Sequence, residues 1–230
     1  MMLVRACLVA GSASAAIAGW EAARGVAEWR RLELVLLDLV PSGRISSRQD
    51  LGAIKNFLTE RISCDVDRRH EKRPLLREPA SVILETGYGF CGENARVAIL
   101  LLALGGVRAN RLYLTGSAWN HVAVEHRWDG HWFLFDGHAD PCTVLPDEAV
   151  ASIPSNSVQL FPNGHRPHNS WIDVHRIHFL HRFSTAHTGH LRLPRPLAIM
   201  HESPSFMRAA ANCIAGGALI ALSRRRRSSL

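Results

Sequence analysis

The chain has 230 residues, 47% hydrophobic and 20% charged. That composition implies a globular fold with a substantial core and argues against an extended disordered chain. The formal net charge is +7, but the arginine run 224–227 supplies four of those charges. With no basic stripe interleaved with aromatics in the remainder, nucleic acid is not an expected partner.

Residues 6–19 are apolar and small, and follow Arg5. Ala13-Ser14-Ala15 resembles a signal cleavage site, but alanine, glycine and serine make a weak hydrophobic centre. Residues 20–40 read as a helix with Trp20, Trp29, Leu32, Leu36 and Leu39 toward one face. A second helix is expected over 47–62. Ser46 or Ser47 would cap it, and Leu51, Ile54, Phe57 and Leu58 would point inward. Residues 65–77 are charged and read as a surface loop.

Next comes Gly87-Tyr88-Gly89-Phe90-Cys91-Gly92-Glu93-Asn94-Ala95. The three glycines permit a tight turn and close backbone approach. The run after Ala95 is rich in alanine and leucine and stops at Gly105-Gly106, so helix is favoured over strand. Such a helix, apolar nearly all round, is a buried one. Cys91 is therefore expected at its accessible start, where free N–H groups and the positive end of the dipole favour thiolate over thiol. The N–H of Cys91 could also donate to a developing oxyanion.

A short strand is expected over 110–115. Two alternating runs, 119–128 and 131–136, flank Asp129-Gly130, a strong hairpin signal. A two-residue loop sets Trp128 opposite His131, Glu125 opposite Leu134 and Ala123 opposite Asp136. His121 shares its face with Ala123, so Asp136 lies one diagonal step from His121, roughly 7–8 Å at the backbone. By the same geometry His126 falls on the other face. Glu125 is roughly 13 Å along the strand from His121. Asp129 is in the turn, and Asp140 lies past the end of the strand. His138 is a rival base if the strand continues. For a second oxyanion donor, Tyr88 and Trp119 are the nearest candidates.

After Pro141 the pattern weakens. Residues 153–167 look irregular, and 171–183 read as a strand or short helix. His165, His168, His175, His178, His181, His187 and His190 crowd this region. They lack the acidic or thiol companions of a metal site and read as solvated or stacked histidines. Residues 209–223 are again apolar, ahead of the arginine run. Both terminal runs fall short of the roughly 20 residues that span a bilayer. The five cysteines, Cys7, Cys64, Cys91, Cys142 and Cys213, are scattered and never spaced Cys-x-x-Cys. That argues against a disulfide framework or a zinc knuckle.

Gly89-Phe90-Cys91, Ala95, Leu104-Gly105, His121-Val-Ala-Val-Glu125 and Trp132-Phe-Leu-Phe-Asp136 together resemble the transglutaminase-like superfamily. This branch of the papain-like cysteine enzymes includes transglutaminases, some peptidases and peptide N-glycanases. Tyr88-Gly89-Phe90-Cys91 is also similar to the Tyr-Gly-Gln-Cys of animal transglutaminases. The match covers about fifty residues, 87–136. It departs from the family at Gly137 and Arg108, where proline is frequent, and at Phe90 and Gly92, where animal transglutaminases carry glutamine and tryptophan. The resemblance implies Cys91 as nucleophile, His121 as base and Asp136 as its orienter.

The expected architecture is α+β, a papain-like or transglutaminase-like core with a buried catalytic helix packed on an antiparallel sheet. The expected divisions are an apolar segment 1–20 (signal, anchor or helix), one domain over 21–205 with its catalytic core at 81–145, and an apolar, arginine-rich tail 206–230. The expected activity is cysteine-dependent acyl transfer on an amide of a peptide or protein, most simply hydrolysis. A protein-glutamine transglutaminase, or a binding module that keeps the fold without turnover, are the alternatives. No metal or organic cofactor is implied. The location is either cytoplasmic or membrane-anchored with the domain facing away from the cytoplasm, since Arg5 and the arginine run 224–227 would then both stay inside.

Overall fold

A computed structural model of the chain describes residues 2–63, 77–116, 120–137, 171–175 and 191–228. The histidine-rich region other than His175, the irregular stretch 153–167, the charged loop up to residue 76, and Trp119, His138 and Asp140 lie outside these residues.

The fold is α+β. Helix α1 runs over Met2–Leu39, α2 over Arg48–Arg61, α3 over Ala80–Thr86 and α4 over Cys91–Leu104. Three strands follow, β1 (Ala109–Gly116), β2 (Asn120–Trp128) and β3 (His131–Phe135), then β4 (Trp171–His175). Two helices close the order, α5 (Arg195–Glu202) and α6 (Pro204–Ser228). The sheet is antiparallel with strand order β3-β2-β1-β4. The chain divides into two compact units, one of Met1–Arg30 with Ser203–Leu230 and one of Arg31–Glu202. These divisions differ from the expected 20/21 and 205/206. Helix α1 passes through residue 20 without a break, because alanine-rich sequence propagates a helix as readily as the leucine-rich sequence after it.

Within the unit 31–202, the core is centred on α4. Every side chain from Asn94 to Ala103 is buried, which matches the all-round apolar pattern. Packed with it are Leu51, Ile54 and Leu58 of α2, Ile83 of α3, and Leu112, Ala123 and Leu134 of the sheet, all 2% exposed or less. Helix α2 starts where a capping box predicts. Asp50 N–H donates to Ser47 Oγ at 3.1 Å, and the Asp50 carboxylate accepts from the Ser47 N–H at 2.9 Å.

The hairpin β2–β3 has the expected register, with Trp128 opposite His131 and Glu125 opposite Leu134. Asp129 and Gly130 both take positive φ, 46° and 81°, as a two-residue type I′ turn requires. Its twist matches that of the flanking strands, so the turn fixes the register rather than merely allowing it.

Candidate active site

Cys91 is the first residue of α4. The turn before it is built from close contacts. Gly87 ends α3 in the left-handed region at φ 64°, which glycine adopts without cost. A Cβ on Gly89 would stand 2.8 Å from the Glu93 Cβ. Glycine at 89 therefore lets the chain fold back tightly onto the first turn of α4. Glu93 then reaches back, its carboxylate accepting from the Phe90 N–H at 3.1 Å. Tyr88, buried, meets Phe90 edge to face at 5.7 Å.

The Cys91 thiol is partly exposed and lies beside His121. Burial pushes its pKa up. The neighbouring His121, by its polarity and positive charge, and the Val122 N–H outweigh that and hold the thiol below its ordinary value.

His121 sits on β2, 1% exposed, with its Nε2 2.5 Å from Asp136 Oδ2. Nε2 is occupied by the carboxylate, so a proton exchanged with a second group would pass through Nδ1. Asp136 comes directly after β3, where the hairpin register brings it level with Ala123. It is 3% exposed. The chain beyond it is pinned from two sides. The Gly137 carbonyl accepts from Asn94 Nδ2 at 3.0 Å and from Thr59 Oγ1 at 3.1 Å. A Cβ on Gly137 would fall 2.6 Å from Asn94 Oδ1. Glycine at this position, where the resembling family often has proline, thus fits the local packing around Asp136.

The structure therefore brings Cys91, His121 and Asp136 together and keeps the neighbouring polar residues apart. Glu125 is fully buried and held bidentately by one guanidinium edge of Arg192, Nε and Nη2 donating at 2.9 and 3.0 Å. Arg192 also stacks on Trp132, 4.4 Å from the ring centre. His126 turns to the other face, between Phe133 and Phe135 at 5.9 and 6.0 Å. Burial drives its imidazole pKa down to about 4, helped by the charge of Arg48. It is a neutral core residue. Among the described residues, no group of three His, Cys, Asp or Glu side chains is placed to hold a metal.

One set of residues beside the site carries no sequence signal. Glu202, 1% exposed, accepts from Arg111 Nε at 2.8 Å and from Arg111 Nη2 at 2.5 Å. Arg77 and His201 contact the same carboxylate at 3.4 and 2.9 Å, and Arg96 lies 3.9 Å away. Burial opposes the Glu202 charge, but the surrounding cations, Arg111 first, hold its carboxyl well below the usual range. Burial and repulsion from Arg111 lower Arg96 to about 10. Arg111 Nη2 also donates to the Gly92 carbonyl at 2.8 Å, so this cluster braces the first turn of α4 directly behind the thiol. The five residues come from four segments spread over more than a hundred positions. No spacing rule would have joined them.

Neither a protein-family profile nor a curated protein matches the chain. A solved structure described as a crystal structure of a TGase aligns with a TM-score of 0.42 and 14% identity. The alignment covers 50% of this chain and 32% of that one, so the chain spans about a third of that protein's length.

Proposed function

We propose that this protein is a cysteine-dependent acyl-transfer enzyme of the transglutaminase-like type, acting on amides of peptides or proteins and resolving its acyl-enzyme with water. The observation that carries the reading is a thiol at the start of a buried helix, beside an imidazole that a buried carboxylate holds at 2.5 Å. Asp136 holds the His121 ring by Nε2 and stabilises its protonated form. His121 takes the Cys91 proton at Nδ1, leaving a thiolate whose charge the first N–H groups of α4 also favour. The thiolate attacks the amide carbon, and the oxyanion forms near the Cys91 N–H. Collapse of this intermediate breaks the C–N bond. The proton held by His121 goes to the departing amine, and a thioester on Cys91 remains. Water, deprotonated by the same imidazole, then releases the acid and restores the thiol.

Water and a primary amine compete for that thioester. A cross-linking enzyme needs a dry, aromatic-walled approach to the sulfur. Here Gly92 and Glu93 follow the cysteine, and Glu93 is engaged in capping the helix. Hydrolysis is the reading this favours. The test offers a glutamine-containing peptide with and without a primary amine. Acid release that exceeds amine incorporation is expected, and it should vanish in Cys91→Ala and fall at least a hundredfold in Asp136→Ala. Amine incorporation that outpaces hydrolysis at about millimolar amine would make the protein a transamidase. Activity that survives Cys91→Ala would end the cysteine mechanism altogether.

A further inference from the structure

In the unit formed by residues 1–30 and 203–230, α1 and α6 pack antiparallel with small residues inside and large apolar residues outside. Up to residue 25, the buried positions of α1 recur every seven residues, at Val4, Gly11, Ala18 and Gly25. From residue 209 onward those of α6 do the same, at Ala209, Gly216 and Ser223. The backbones meet closely there. A Cβ on Gly11 would lie 3.3 Å from the Gly216 carbonyl oxygen, and a Cβ on Gly216 would lie 3.0 Å from that of Gly11. Further along, Gly25 lies under the Phe206 ring, and Arg208 holds Glu21 at 2.9 and 3.1 Å.

The outer surface is the reverse. Val9 is 71% exposed, Ile17 51%, Trp20 55%, Ile214 74% and Leu222 54%. A water-soluble helix pair places its large apolar side chains between the helices, because burial from water drives the pairing. In lipid that drive is absent. Small residues then allow close backbone packing while large apolar ones face the acyl chains.

Charge follows the same plan. Residues 6–20 and 209–223 contain no Asp, Glu, Lys or Arg. On the antiparallel register these stretches lie side by side, with Arg5 level with the arginine run 224–227 at one edge. At the other edge stand the Glu21–Arg208 pair, Arg24 and Trp20. Arg24 lies over the Trp20 ring at 5.7 Å, an arrangement suited to a headgroup boundary. The charge-free band is about 22 Å tall at 1.5 Å per residue. Arginine side chains reaching outward and modest thinning of the bilayer cover the difference from about 30 Å. Two windows of these helices have the length and hydropathy of membrane spans, yet only 11% and 17% of each is buried. Core helices of a soluble protein would be mostly buried.

We propose that α1 and α6 form a two-helix hairpin embedded in a lipid bilayer, with the arginine edge against anionic headgroups. The occupant of the exposed apolar face is lipid. The full-length protein should sediment with membranes, remain there through high salt and alkaline carbonate, and leave only with detergent. In vesicles of phosphatidylcholine and phosphatidylglycerol, Cys213 (exposed on α6) should resist a membrane-impermeant maleimide and react fully once detergent is added. Ile214→Asp touches no helix–helix packing and would be harmless in a soluble pair. In a membrane hairpin it should lower the carbonate-resistant fraction severalfold. Three results would each overturn the proposal: a detergent-free protein, monomeric or oligomeric, with Cys213 freely labelled; an intact mass showing that residues before Trp20 have been removed; or an unchanged distribution of the Ile214→Asp variant.

Discussion

At the scale of single residues, two titrating groups of opposite purpose sit on one strand and its surroundings. Cys91 is buried enough to resist ionisation, yet His121 and the Val122 N–H pull its pKa below the ordinary thiol value. A thiol so placed keeps more thiolate as the pH falls than an unperturbed one does. Alkylation at about pH 6, followed by peptide mapping, should therefore find Cys91 the fastest of the five cysteines. His121→Ala should bring it down to the rate of the others. Equal labelling of all five in the native protein would contradict the placement of His121. His126 works the other way. Its folded pKa is depressed to about 4 by burial, against about 6.5 when unfolded. Between those values the unfolded chain binds a proton that the folded chain refuses, so stability falls as the pH drops from about 6.5 toward 4. The full effect is on the order of 3 kcal/mol. His126→Gln should flatten the dependence of Tm on pH between about pH 7 and pH 5. An equally steep slope in that variant would assign the acid sensitivity to another group.

At the scale of elements, the question is what keeps the start of α4 in place. Helix α5 supplies Glu202, β1 supplies Arg111, and their bidentate pair carries a further N–H to the Gly92 carbonyl. Removing one partner of a buried ion pair leaves the other charge without compensation, at about 3–5 kcal/mol. In Glu202→Gln three arginines and a histidine lose their common anion. Tm should fall by roughly 10 °C, and Cys91 labelling at about pH 6 should slow as the first turn of α4 loosens. A Tm within about 2 °C of the parent would mean that solvent already screens the cluster.

These elements also show what the amino-acid order discloses. The hairpin was legible because Asp129-Gly130 permits one turn geometry, and alternation then assigns every side chain to a face. That reasoning placed His121 and Asp136 together and separated them from His126 and Glu125. The start of α4 was legible because glycines and an apolar run mark it locally. The arginine cluster was not, since ion pairs between α5, β1 and α4 depend on tertiary contacts with no periodicity in sequence. The length of α1 was misjudged for a related reason. Small residues carry little hydropathy, so residues 6–19 and the helix after them looked like separate segments, although their seven-residue spacing of Gly11, Ala18 and Gly25 was present in the order.

At the scale of the whole molecule, the proposed hairpin would constrain where the proposed chemistry occurs. If α1 and α6 both cross a bilayer, connectivity alone puts the chain joining them, residues 31–202, on a single side, and Arg5 with the run 224–227 on the other. The positive-inside rule counts Lys and Arg in short flanking stretches and largely ignores long connecting domains. In such a hairpin Arg5 and the four arginines would decide the orientation and stay on the cytoplasmic side. Cys91, His121 and Asp136 would then face away from the cytoplasm, and the proposed amide substrates would be sought there. In intact cells with an outer surface opened to protease, the segment 31–202 should be degraded while an epitope placed after Leu230 survives. In inverted membrane vesicles the pattern should exchange, with the epitope lost and the segment protected. The opposite pair of results would leave the hairpin standing but turn the active site toward the cytoplasm, where the arginine run would then have been carried across the membrane against its charge.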